Sequence, residues 1–146
     1  MSDPLDRAIG ALLGLAVGDA LGMPTQLLSR AEVVARHGPL LAGFAPAEAE
    51  HPVAAGMGAG SVTDDTEQAV LLARLLVDGH GEVDPAVWAR ALADWEAAMA
   101  ARGSADLLGP STRRALAAVA AGVAPEEAGR TGDTNGAAMR IAPVGI

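Results

Sequence analysis

Thr63, Asp64 and Asp65 stand together just after a glycine-rich run that ends at Gly60-Ser61-Val62. From there the pattern turns helical, with Ala69, Val70, Leu72, Ala73, Leu76 and Val77 at helical spacing. Two chemistries suit such a cluster. Ser, Thr and Asp are favoured as helix caps, and acids in a first turn gain about 0.3–1 kcal/mol from the helix dipole. Alternatively, two carboxylates about 4 Å apart repel by about 4 kcal/mol at an effective dielectric of about 20. A hard divalent cation removes that repulsion and takes hydroxyl and carboxylate oxygens as ligands. At a helix start successive side chains need not diverge by the helical step, so three oxygens can converge. The segment Thr63 to Glu67 fits both readings.

A second polar segment, Gly132 to Arg140, reads GDTNGAAMR. It is either a polar turn in which Asn135 caps a short helix, or a cradle of backbone N–H groups and an amide for a sugar or phosphate oxygen. The three histidines show no metal-ligand spacing: His37 and His80 read as loop-surface residues, and His51 lies in the loop leading to the acidic cluster. No GxSxG, P-loop or dinucleotide fingerprint is present.

The elements that must position these residues are helical. Asp3-Pro4 supplies a cap and a first helical proline for a helix to Gly22, in which Leu5, Ile9, Leu12, Leu13, Ala16 and Val17 recur at three- and four-residue steps. Gly10, Gly14 and Gly18 sit four apart on it. Their spacing predicts tight helix packing through small residues, because each interior glycine costs up to about 1 kcal/mol against alanine. Ser29 and Glu32 form a capping box for a helix to about Arg36. Residues 38–62 are an irregular stretch with apolar points at Leu40-Leu41 and Phe44. After the helix from Asp64 to Gly79, Asp84-Pro85 opens another, with Val87, Trp88, Ala91, Leu92, Trp95 and Met99 on its buried side. A fifth runs from Pro110 to Gly122, a short turn begins at Pro125, and Ala137 to Ile141 forms a helical turn before Pro143.

Composition sets the class. The 146 residues predict one ordinary domain or part of a larger one. With 51% hydrophobic and 19% charged residues the chain is not disordered. Aromatics are limited to Phe44, Trp88 and Trp95, and alanine takes their place. Alanine and leucine suit closely packed helices, while β-branched and aromatic strand formers are scarce. The expected fold is all-α. A net charge of −8, with ten arginines and no lysine, argues against a nucleic-acid partner. The absence of cysteine excludes disulfides and thiolate sites, and fits a cytoplasmic protein. The longest uninterrupted apolar run, Ala8 to Gly18, is shorter than the roughly 20 residues a bilayer span needs, so no membrane partner is expected. Asp3 and Asp6 around Arg7 do not resemble a signal peptide's basic start.

Three segments, in order, resemble the ADP-ribosylglycohydrolase family: GALLGLAVGDALGMP (Gly10 to Pro24), TDDTE (Thr63 to Glu67) and NGAAMRIAPVG (Asn135 to Gly145). The resemblance spans almost the whole chain. It implies an all-α fold with two divalent cations, Mg2+ or Mn2+, in a central cleft, and hydrolysis of the glycosidic bond between ADP-ribose and an acceptor. It further implies Thr63, Asp64 and Asp65 as metal ligands, and Asp64 or Asp65 as the catalytic residue that orients or deprotonates the attacking water. Gln26, Asp133, Thr134, Asn135 and Gly136 are the substrate-binding candidates.

The chain departs from the family pattern at two positions. Gln26 stands where family hydrolases often carry glutamate, and Thr134 where glycine usually precedes the asparagine. Both suggest a substrate or acceptor other than ADP-ribosylated protein, and Gln26 favours, as an alternative, a hydrolase of a small riboside or nucleotide sugar. An alternative of another class is a non-catalytic, crystallin-like structural or binding relative. The family runs to about twice this length, with a second Asp-x-Asp-Thr motif that residues 1–146 do not contain. The chain is therefore expected to be the N-terminal half of one domain, whose remaining ligands come from a C-terminal half or a second chain. The apolar end Val144-Gly145-Ile146, and the Leu- and Val-rich faces of the helices at 5–22 and 64–78, point the same way.

Overall fold

The computed structural model describes residues 3–104 and 108–146, and its regular structure is entirely helical. Helices α1 (Pro4–Gly22), α2 (Arg30–His37), α3 (Asp64–Asp78), α4 (Pro85–Ala101), α5 (Pro110–Ala120) and α6 (Pro125–Ala128) follow the segments expected from sequence. Three short 3₁₀ turns, Met23–Thr25, Ala138–Arg140 and Ala142–Gly145, complete the described elements. The last of them runs through Pro143, where the sequence pattern suggested a break.

Local chemistry accounts for the helix starts. Asp3 accepts the Leu5 backbone N–H at 3.0 Å, and Asp84 accepts that of Ala86 at 2.7 Å, each ahead of a first-position proline. The capping box of α2 is fully formed, with Glu32 accepting from the Ser29 N–H and Ser29 Oγ from the Glu32 N–H. Thr63 caps α3. That helix stops at Gly79, where an added Cβ would lie 2.0 Å from the Glu82 carbonyl oxygen, so only glycine allows the chain to fold back there.

Helix α3 is the centre of the arrangement: α1, α4 and the two C-terminal 3₁₀ turns all lie against it. Its Ala69 and Leu72 are buried, with Leu92 and Met99 of α4. The other residues expected on the buried side of α4, Val87, Trp88, Ala91 and Trp95, are half-buried. A satellite core of Met23, Ala47 and Ala54, with Met57 against it, gives the long 38–62 segment its shape. Leu40 and Phe44 are exposed.

Two expectations for α1 are corrected. The glycines do not mediate helix packing: a Cβ at Gly10, Gly14, Gly18 or Gly22 would meet nothing within 4 Å. With the following turn, Pro4–Thr25 forms one segment of 22 residues with mean hydropathy 1.4, long and apolar enough to cross a membrane. Counting only the uninterrupted run missed this, because Asp19 interrupts the sequence but not the helix. Asp19, near the C-terminal end of α1, anchors that helix to α3, while only 17% of the apolar stretch is buried. On its outer side Leu5, Ile9, Leu13 and Val17, spaced four apart, are all exposed.

Candidate functional site

The site is organised around Asp19. Its Oδ2 accepts the backbone N–H of Thr63 at 2.8 Å, the backbone N–H of Thr66 at 3.2 Å and the Thr66 hydroxyl at 2.5 Å. Its Oδ1 accepts the Thr63 hydroxyl at 2.7 Å. One carboxylate thus binds two of the otherwise unpaired N–H groups at the start of α3, where a helix leaves such donors free. Thr63 and Thr66 are buried beneath it. This linkage holds α1 and α3 in register and fixes the backbone from which Asp64 and Asp65 project.

Asp64 and Asp65 face a cleft of about 700 Å³. Gly14, Gly18 and Gly22 of α1 line it, together with Gln26, Leu27, Asn135 and Met139. The open space over the glycines is therefore the cleft itself. A smaller hollow of about 170 Å³ shares Asp64, Asn135 and Met139 with it and adds Thr134, Gly136 and Arg140. Burial, and then the neighbouring Asp19 charge, hold the Asp65 carboxyl above the usual carboxylate range.

The sequence candidates fall into distinct places. Asp64, Asp65, Gln26 and Asn135 meet around the large cleft, and Thr134 and Gly136 reach the smaller hollow. Thr63 lies under the site: its Oγ donates to Asp19 and receives the Asp65 N–H at 3.4 Å and the Gln26 amide at 3.5 Å. Asp133 faces elsewhere. Its carboxylate accepts from Ser111 and, at 2.9 Å, from Arg114, tying the loop to α5. Glu67, the last residue of the TDDTE segment, accepts the Trp95 indole N–H at 2.6 Å. His51 is buried, with Nδ1 accepting the Val53 and Ala54 N–H groups, a structural role. Asn135 caps no helix with its side chain, since the turn it precedes has no side-chain cap.

Three residues of the site were missed in sequence. Asp19 was legible as a lone carboxylate in an apolar helix. Gln68 donates from Nε2 to Asp64 Oδ2 at 3.2 Å and accepts from Arg140, whose guanidinium also lies 5.6 Å from the Trp88 ring centroid. Nothing in local spacing announces the pairing of Gln68 with Arg140, 72 residues apart.

The donors fit divalent cations in kind: two carboxylates with oxygens at the cleft, one of them crowded by a like charge that a cation would relieve. They fall short in number. Among the described residues there is no group of three or more His, Asp or Glu side chains able to hold a metal.

The ADP-ribosylglycohydrolase family model matches residues 1–146, and the chain belongs to that family. It is 39% identical over 140 residues to YegU of Escherichia coli K12, a protein itself described as uncharacterised, covering 96% of this chain and 41% of that one. It is 35% identical over 151 residues to the ADP-ribosylarginine hydrolase Tri1 of Pseudomonas putida GB-1, covering 97% of this chain and 36% of Tri1. To the ADP-ribosyl-(dinitrogen reductase) glycohydrolase of Rhodospirillum rubrum it is 32% identical over 149 residues, covering 97% and 44%. The chain spans about two fifths of the length of these relatives, somewhat less than the half expected.

Proposed function

We propose that the full-length protein hydrolyses the glycosidic bond of ADP-ribosyl groups with the help of two divalent cations, Mg2+ or Mn2+. The observation that carries this reading is the pair Asp64 and Asp65, fixed on α3 and facing a cleft that Gly14, Gly18, Gly22 and Asn135 also line. When bound, the cations would lower the pKa of water and polarise ribose hydroxyls. Asp64 and Asp65, with the Thr63 hydroxyl beside them, would hold the cations, and one of the two carboxylates would orient the water or take its proton. The water oxygen then bonds to the anomeric carbon as the bond to the acceptor breaks, and the acceptor leaves with a proton. Asn135, with Thr134 and Gly136 beside it, would bind ribose or diphosphate oxygens.

The remaining ligands would come from residues outside 1–146, in a C-terminal portion or a second chain. Two features support this: the short donor set, and the exposed stripe Leu5, Ile9, Leu13 and Val17 on α1. Cytoplasmic residence is inferred from the cysteine-free composition alone and is tested by cell fractionation.

The test is release of ADP-ribose from an ADP-ribosylated arginine peptide by the full-length protein. Release with Mg2+ or Mn2+, abolished by EDTA, is the expected result. A second reading, hydrolysis of a small riboside or nucleotide sugar, is favoured by the neutral Gln26 at the cleft. Turnover of such compounds with no release from the peptide would establish it. Absence of turnover together with absence of cation and ADP-ribose binding would instead make the protein a non-catalytic relative.

A further inference from the structure

We propose that Gln68 and Arg140 are positioning residues that set the orientation of the Asp64 carboxylate at the cleft. Gln68 is completely buried in the second turn of α3, and both ends of its amide are used. Nε2 donates to Asp64 Oδ2 at 3.2 Å, and Oε1 accepts from Arg140 Nη1. A guanidinium can only donate, so it forces the amide oxygen toward itself and leaves the NH₂ end facing Asp64. Without that constraint the amide could turn its oxygen toward the carboxylate, and the contact would become repulsive.

Arg140 is in turn fixed on several sides. Its Nη2 donates to Thr112 Oγ at 3.3 Å, and its guanidinium lies 5.6 Å from the Trp88 ring centroid. A Cβ added at Gly136 would sit 3.1 Å from Thr112 Oγ and 3.5 Å from Arg140 Nη2, so the loop backbone closes directly over this pair. The chain Thr112–Arg140–Gln68–Asp64 therefore transmits the placement of α5 and the 132–136 loop to one carboxylate oxygen.

This inference rests on Asp64 acting as a cation-holding group. Its test is Gln68→Met, close in shape but with neither donor nor acceptor, and Arg140→Lys, which keeps the charge but loses the fork, both in the full-length protein. Mn2+ titration calorimetry, well below the melting temperatures of the variants, should show binding weakened about 10- to 100-fold in each, the usual effect of losing an outer-shell partner. A crystal structure of Gln68→Met should show the Asp64 carboxylate rotated from its place. Wild-type Mn2+ affinity with Asp64 unmoved would overturn the inference, and a merely structural role would lower melting temperature without changing affinity. If Gln68→Met does not fold, Gln68→Asn, too short to reach both partners, takes its place. If the wild type binds no Mn2+, the cation reading fails by itself, and the position of Asp64 in the variant crystal still decides the positioning role.

Discussion

At the start of α3 Asp19 accepts four hydrogen bonds from two buried threonines, whereas the 132–136 loop, which brings Asn135 to the same cleft, is held to α5 by Ser111 and Arg114 on the surface. The first set is shielded and charge-assisted, each bond being worth about 1.5–3 kcal/mol. The second is open to water, which screens such ion pairs and leaves them weak. The wall that carries Asp64 and Asp65 is thus built to keep two like charges at fixed positions. The wall that carries Asn135 combines these surface contacts with one close approach, at Gly136, to the Thr112–Arg140 pair.

Asp19→Ala is the largest expected break in this contrast. It strands the Thr63 and Thr66 donors, so the fold should lose about 3 kcal/mol or more and melt roughly 10 °C lower. A melting temperature within about 2 °C of wild type would mean that the start of α3 holds itself. Gln26→Glu sharpens the same wall by adding a carboxylate at the cleft. Mn2+ affinity in the full-length protein should rise by about tenfold, equivalent to about 1.4 kcal/mol. Unchanged affinity would place this side chain outside the reach of the cations.

Smaller effects follow from two of the carboxyl groups with shifted pKa, Asp65 and Asp133. Asp65 is held above the usual range, first by burial and then by Asp19. Its folded pKa therefore exceeds its unfolded one, and ionised Asp65 costs stability at neutral pH, a cost that disappears as pH falls. Metal-free Asp65→Asn should accordingly melt a few degrees higher than wild type at pH 7. Asp133 is shifted the other way, held low by the Ser111 hydroxyl and then by Arg114. Its contribution is present above the ordinary Asp value of about 3.9 and is lost as pH falls through the folded value. Protection factors of the 133–136 amides, corrected for intrinsic exchange, should stay constant down to about pH 5 and fall below about pH 4. Asp133→Asn should remove that pH dependence with little change in melting temperature.

The same division explains what could be read from sequence. Caps and periodicity located α1 to α6 because Asp3-Pro4, Ser29 with Glu32, and Asp84-Pro85 act within a few residues of themselves. Asp64, Asp65, Gln26 and Asn135 were legible as a group only through the resemblance to a family. The pairing of Asp19 with Thr63 and Thr66, and of Gln68 with Arg140, joins residues 44 to 72 positions apart, which no local rule encodes. The glycines of α1 misled for a physical reason. Four-residue spacing of small side chains serves a helix neighbour and an open cleft equally well, and only the absence of atoms within 4 Å distinguishes them.

Cation binding by the α3 wall is the central claim, and Mn2+ titration calorimetry on the full-length protein with Asp64→Asn and Asp65→Asn tests it most directly. The amides keep the size of the carboxylates and one acceptor oxygen each, but not the charge. Both variants are expected to remain folded by circular dichroism and to lose Mn2+ binding. Variants that bind Mn2+ as the wild type does would show that Asp64 and Asp65 serve only the start of α3.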